Sequence, residues 1–307
     1  MIFEVASKSI NLEATPFTDN GYLFKSLHME ESLGRTIAFG DISFTSDGTN
    51  MNLIEDQEII EIKLKQLNGI TYNIKGFIHS REYIENEVKL NFICASKEFL
   101  TESRVVTFVD IDDALQTLYT WNTNITVKSD INNNLEINQN GQTDYELAVK
   151  LAQSYKYNTV FSFGLEGFMI KGLDGSSVGT IKGQTDGVLT TAYNFNYYKQ
   201  LDIEPVRTDK FINIMSMIND QAYFLVHESY SILLENYLYN QRYLTELYTD
   251  FSLRYIAYIP TFKLGDKVEY KDIKNFPRKN YVVSRMIFDI DMNKIEVNVT
   301  FNGLDKK

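Results

Sequence analysis

Residues 71–92, TYNIKGFIHSREYIENEVKLNF, and residues 280–301, NYVVSRMIFDIDMNKIEVNVTF, overlay without a gap when the second stretch is moved back by 209 positions. Tyr72 then meets Tyr281, Ile74 meets Val283, Phe77 meets Met286, Ile78 meets Ile287, Val88 meets Val297, Leu90 meets Val299 and Phe92 meets Phe301. Further upstream, Ile59 meets Val268. Apolar residues at every second position line one side of an extended strand, so each stretch reads as an antiparallel hairpin with one buried face. Any two alternating hairpins agree at alternate positions once registered, so the shared Tyr at the start and Phe at the end carry the weight. The pattern predicts one three-strand unit used twice.

The first 110 residues are otherwise short alternating runs. EIIEIKLKQL, residues 58–67, alternates across Ile60, Ile62 and Leu64, and Ser46-Asp47-Gly48 and Asn68-Gly69 supply turn chemistry between runs. From Ile111 the period changes. Asp112 and Asp113 precede ALQTLYTW as helix-start residues, and a polar, Asn-rich stretch over 122–142 reads as an exposed loop or short polar hairpin. Thr143 with Glu146 three residues later forms a capping box for a helix over 143–156, with Leu147, Leu151 and Tyr155 on its apolar face. TVFSFGLEGFMIKG then supplies a hairpin, and a glycine-rich loop runs to about Gly187. SYSILLENYLYNQRYLTELYTDF carries a broad apolar stripe and predicts a helix over 229–250, a core or oligomer element. The expected fold class is α+β, mostly β: two similar antiparallel β-barrel domains at residues 1–110 and 201–307, with a mixed α/β insert at 111–200 between them.

Composition excludes several classes. A 44% hydrophobic share over 307 residues supports packed cores. Forty-one acids against thirty bases leave a net charge of −11, opposite to what clustered phosphate neutralisation needs. The one cysteine, Cys94, lies in LNFICAS and reads as a packing residue; a disulfide framework is excluded. The N-terminus lacks a signal-peptide core and no stretch approaches the roughly 20 apolar residues of a membrane span, so synthesis and folding in the cytoplasm are expected.

No motif in the sequence points to a catalytic or metal site. His28, His79 and His227 are far apart, and FLVHESYS places Ser, His and Glu together only in sequence, which is not triad geometry. GLDGSSVGTIKG, residues 172–183, lacks the Lys-Ser/Thr ending of a phosphate loop. Asp110, Asp112 and Asp113, or Asp289 and Asp291, are candidate acid/base or cation pairs; the last two share a strand face, where like charges imply solvent. No catalytic, cofactor-binding or metal-ligating residue is expected, and the chain is not expected to be an enzyme.

The alternating start, the central TDYELAVKLA helix running into strand-turn-strand, and the ending LGDKV…YVVSRMIFDI…KIEVNVTF together resemble the tail-hub family of bacteriophages. Those baseplate hub proteins are in turn similar to the N-terminal part of type VI secretion spike proteins. The family's middle helix reads S-D-x-x-F-x-x-R-L-A, matched here by Thr143, Asp144, Leu147, Lys150, Leu151 and Ala152. Leu264-Gly265-Asp266-Lys267-Val268 is similar to the L-x-x-G-D-x-V turn of tail proteins. The chain is compact for the family and shows no lysozyme, peptidase or needle extension. The resemblance implies a structural virion protein of the tail or baseplate, assembled in the host cytoplasm. Its partners would be two further copies of itself, the tail tube protein, a central spike, needle or fibre, and other baseplate proteins, with genomic DNA passing without specific binding. A trimer whose subunit carries two similar barrels would offer six quasi-equivalent positions to a six-fold tube, and an acidic lumen would let DNA slide. Two rivals stay open: a hexameric distal-tail or tube-initiator ring, and a carbohydrate-binding or hydrolytic virion module. The single Trp121 among forty-one aromatics is a sparse supply for sugar stacking.

Overall fold

The computed structural model describes residues 2–7, 11–13, 22–46, 54–55, 57–65, 71–122, 128–129, 137–154, 159–173, 176–181, 188–192, 203–208, 211–218, 221–227, 250–256, 259–270, 280–291 and 294–303. The chain opens with seven strands: β1 (Ile2–Ser7), β2 (Asn11–Glu13), β3 (Tyr22–Ser32), β4 (Phe39–Ser46), β5 (Ile59–Lys65), β6 (Thr71–Ile84) and β7 (Glu87–Ile93). An inserted α/β unit follows: α1 (Lys97–Thr101), β8 (Ser103–Phe108), α2 (Ile111–Trp121), β9 (Lys128–Ser129), β10 (Ile137–Thr143), α3 (Asp144–Ser154), β11 (Thr159–Gly164) and β12 (Gly167–Gly172). The remainder is β13 (Gly179–Ile181), β14 (Val188–Ala192), β15 (Ile203–Thr208), β16 (Phe211–Ile218), β17 (Gln221–His227), β18 (Asp250–Ile256), β19 (Lys267–Tyr270), β20 (Asn280–Asp291) and β21 (Ile295–Gly303). The fold is α+β and mostly β.

Strand order reveals the repeat. In the first unit the order is β3-β4-β7-β6-β5, and in the second it is β14-β18-β21-β20-β19, with every neighbour antiparallel in both. Five strands, taken in the same chain order, are therefore laid down in the same spatial order twice. The hairpins at residues 71–93 and 280–303 occupy matching places, and each carries a β-bulge in its first strand. They are not superposable residue for residue at the 209 offset. Ile78 faces Phe92, whereas Ile287 faces Asn298 and Phe301 faces Val283. The first hairpin closes in a two-residue turn after Ile84, while four residues separate the pair Ile290–Ile295; the longer loop slides the register. Ile59 is 48% exposed while Val268 is buried, so that upstream match does not hold.

The two units share one sheet. β20 pairs with β3 over seven residue pairs, from Arg285 opposite Ser32 to Asp291 opposite Ser26, giving a 13-stranded sheet rather than two separate barrels. The sheet rolls up. β20 and β6 lie four strand steps apart in the hydrogen-bonded order, roughly 19 Å if flat. Yet the Tyr72 and Phe288 rings meet edge to face with centroids 5.5 Å apart. Alternation drives this: Ile60, Ile62 and Leu64 of β5, Val88, Leu90 and Phe92 of β7, and Val297, Val299 and Phe301 of β21 all point into one common core. At about 1.5–3 kcal/mol per fully buried large apolar side chain, that core is the main stabilising contribution. The opposite face is wet and charge-paired across strands, with Lys75–Glu61, Lys89–Asp41 and Lys63–Glu4.

The inserted unit has its own core, built from α2, α3, α1, β8 and the β11–β12 hairpin, in which Phe163 stacks on Phe168 at 4.9 Å. The capping box is present as the sequence predicts: Glu146 N donates to Thr143 Oγ1 at 3.2 Å and Thr143 N to Glu146 Oε2 at 2.8 Å. Leu147 and Leu151 are buried; Tyr155 lies outside the described residues. At α2 the N-cap is Asp110, whose carboxylate accepts from Asp113 N, and Asp112 and Asp113 sit in the first turn. Asp144 is fully buried and accepts from Asn122 Nδ2 and Gln139 Nε2, each at 3.0 Å, and from Arg104 Nε at 3.3 Å. One carboxylate thereby ties α2, α3, β8 and β10 together.

Three expectations change. The polar stretch 122–142 is more structured than a loop: β10 pairs with β8, and Lys128–Ser129 adds to β12, because Ile137 and Gln139 are buried at the sheet's inner face. The glycine-rich segment contains β13, held in parallel against β19. β15, β16 and β17 form an antiparallel three-stranded sheet that periodicity alone did not bring out. The predicted helix 229–250 lies outside the described residues except for Asp250, which begins β18.

Gly76 sits where β6 runs tightly over the end of β7: a Cβ there would lie 2.2 Å from the Ile93 carbonyl oxygen. Gly76→Ala is expected to lower stability in urea denaturation by about 1–3 kcal/mol, since backbone must move. Asp144→Ala removes one of two acceptors from each of Asn122 and Gln139 and the ion-pair partner of Arg104, and a loss of roughly 3 kcal/mol is expected in the same assay.

Candidate functional site

The β3–β4 connection runs along the inserted hairpin. Gly34 N donates to Phe161 O at 2.8 Å and Ala38 N to Phe163 O at 2.7 Å, and Tyr145 Oη of α3 donates to Arg35 O at 2.6 Å. Sheet and insert are joined by backbone as well as side chains.

The turn at Leu264–Asp266 closes the same junction. Gly265 adopts φ +75°, a left-handed conformation that favours glycine, and its N–H donates to Val283 O at 2.9 Å. Asp266 Oδ2 accepts from Lys263 N at 2.7 Å, while its other oxygen pairs with Lys171 of β12. The tail-like L-G-D turn is thus explained residue by residue: Leu264 fills the core, Gly265 turns the chain, and Asp266 clamps the turn to the insert.

Between these parts lies a cavity of about 210 Å³, walled by Glu31 of β3, Tyr72 of β6, the β11–β12 hairpin and Lys263 to Asp266. Glu31 is 5% exposed, and its Oε2 accepts from Leu165 N at 3.0 Å. Burial, with the neighbouring Glu166 in a smaller role, pushes its carboxyl up to about 7; the Leu165 N–H and Lys263 pull the other way. Lys263 Nζ pairs with Glu166 at 2.5 Å and sits 4.9 Å from the centre of the Tyr72 ring. The Tyr72 hydroxyl is buried and finds no hydrogen-bond partner among the described residues. Burial also raises its phenol well above the ordinary range. A wider depression of about 570 Å³ runs along Ile37, Phe39, Leu100 and Tyr145.

The residues singled out from the sequence are not brought together. His28 Nδ1 lies 2.6 Å from Asp289 Oδ1 across the β3–β20 pairing, on the wet face of the sheet. His79 is exposed on β6, and His227 ends β17. Cys94 is buried in the barrel core, its thiol raised far above the ordinary value by desolvation. Asp110 and Asp113 serve as helix-capping groups. Among the described residues no group of three or more His, Cys, Asp or Glu is arranged to hold a metal ion, and no helix is long and apolar enough to cross a membrane. The junction cluster was not read from sequence. Its members come from positions 31, 72, 166, 171, 263 and 266, and only the L-G-D turn left a local signal.

Comparison with known proteins places this fold. No protein-family model matches the chain, and no curated protein sequence does either. Solved structures do. A 43 kDa tail protein of prophage MuSo2 from Shewanella oneidensis aligns with TM-score 0.64 at 11% identity, over 98% of this chain and 96% of the other. A tail protein from Neisseria meningitidis aligns with TM-score 0.59 at 12% identity, over 98% and 96%. An Escherichia coli component of the type VI secretion system, described as structurally similar to bacteriophage T4 tail proteins, aligns with TM-score 0.57 at 10% identity, over 98% and 77%. The chain therefore shares the fold of phage tail proteins and of a secretion-system relative over nearly its whole length.

Because the folded state holds the Glu31 proton more tightly than an unfolded chain, this carboxyl stabilises the fold fully below about pH 4.5. That contribution is lost as pH rises through about 7. Glu31→Gln, which keeps an acceptor for Leu165, is expected to match the parent at pH 5 and exceed it by about 3 kcal/mol at pH 8, read by thermal or urea denaturation.

Proposed function

We propose that the chain is a structural subunit of a phage-type tail, a hub whose three copies form a ring joining the tail tube to a central spike or fibre. The observation that carries this reading is the doubled strand order within one polypeptide. Three chains bearing two equivalent five-stranded units each present six similar positions, which is the requirement for mating a three-fold assembly to a six-fold tube. The shared fold with tail proteins supports the same setting. The sheet's wet face also fits a conduit. Its lysines are interleaved with carboxylates rather than clustered, so it offers no continuous basic track on which DNA phosphates would stick. This face is charge-balanced where described, so the acidic lumen expected from net charge needs surfaces beyond it.

Native mass measurement of the purified assembly tests the stoichiometry. Three 35.5 kDa chains give about 106 kDa, and electron micrographs of the particle are expected to show a ring with three-fold symmetry and six similar lobes. A hexamer of about 213 kDa would replace the hub by a distal-tail or tube-initiator ring. A stable monomer at micromolar concentration would remove the ring altogether.

A further inference from the structure

We propose that the junction cavity is the receptor for one basic side chain, arginine or lysine, presented by another protein chain that docks over the seam between barrel sheet and insert. Two lysines and three carboxylates surround the cavity; Lys263 pairs with Glu166 and Lys171 with Asp266, which leaves Glu31 with a backbone amide and no ion pair among the described residues. A buried carboxylate without a cation is costly, and the fold has retained one here. Tyr72 also lines this cavity, and its buried hydroxyl finds no hydrogen-bond partner among the described residues. Buried polar atoms are almost always satisfied, so an orphan hydroxyl on a cavity-lining residue marks a place where a polar group can arrive.

Shape selects the visitor. At about 210 Å³ the cavity is several times the roughly 30 Å³ share of a water and smaller than the roughly 300 Å³ at which ligand pockets begin. Apolar Phe168, Met169 and Leu264 share its lining with Glu31 and Tyr72. An apolar wall leading to an unmatched anion suits a side chain with an aliphatic stem and a cationic head. A guanidinium or ammonium group donates N–H to both Glu31 and the Tyr72 oxygen and also matches the carboxylate's charge, which a neutral donor does not. The inference goes beyond the ring stoichiometry, and its test needs no ring.

Proton linkage gives the interaction a signature. The groups facing Glu31 are Glu166 and the Leu165 amide from the hairpin, Lys263 from the loop before β19, Tyr72 from β6 and Cys94 from the end of β7. With its carboxyl held near 7, Glu31 is mostly neutral at pH 6 and mostly charged at pH 8, so a cation binds about tenfold more weakly at the lower pH.

The test uses the full chain carrying a ¹³C-labelled Met169 methyl group, titrated with acetyl-Gly-Arg-Gly-amide, its citrulline counterpart and propylguanidinium. A saturable shift of the Met169 signal with the arginine peptide at pH 8 is expected. It should be about tenfold weaker at pH 6, absent with the citrulline peptide and lost in Glu31→Gln. Tyr72→Phe, which removes only the hydroxyl oxygen, is expected to weaken binding roughly threefold to tenfold. Equal binding of arginine and citrulline peptides, or binding unchanged in Glu31→Gln, overturns the proposal, as does the absence of any saturable shift. Propylguanidinium binding as tightly as the peptide would assign the cavity to a free cation and overturn the docking partner.

Discussion

Seven residue pairs between β3 and β20 hold the architecture together. Each five-stranded unit alone would expose a strand edge with unpaired N–H and C=O groups, a surface that invites non-native pairing. Pairing β3 with β20 consumes both edges at once and lets inward residues of both units fill one core, where Tyr72 reaches Phe288. Cross-strand contacts on the wet face, Arg285 with Glu30 and His28 with Asp289, reinforce the seam without carrying it. β3 then continues past its last sheet residue into the segment that hydrogen-bonds β11. One strand is therefore the common member of the seam, the charged junction and the attachment of the insert.

The insert consequently reads as a brace. α3 is anchored at its N-terminus by both the capping box and the buried Asp144 network, and its Tyr145 ring packs on Phe163 while the hydroxyl bonds the β3–β4 connection. The Asp of the resembled helix motif thus has a physical reason to be an Asp, since three donors from three other elements converge on it. In the proposed ring such a brace would fix the insert's angle to the barrel sheet, which is what a mechanical coupler requires.

Legibility divided along the range of the interactions. Alternation at Ile60, Ile62 and Leu64 was visible because a half-buried strand writes its pattern at period two. The Thr143–Glu146 box and the Leu264-Gly265-Asp266 turn were visible because their partners lie within three residues. The repeat was visible as kind but not as register, since loop length, which slides one strand past its neighbour, leaves no mark on the face pattern. The cluster of Glu31, Tyr72, Glu166 and Lys263 was invisible. Glu31 meets the Leu165 amide across 134 residues, and nothing near Glu31 in sequence distinguishes it from the half-buried Glu30 beside it.

What the sequence determined by itself was local: which residues face inward, where helices begin, where glycine must turn the chain, and that a hairpin pattern occurs twice. Those follow from steric and hydrogen-bonding rules acting over a few residues. Tertiary structure alone decided that the two units form one rolled sheet rather than two barrels, and that a lone carboxylate and an unpartnered phenol share a void. The reason is that strand pairing and desolvation depend on which distant segments meet, and that choice is made by the global packing of the core, not by any stretch of chain on its own.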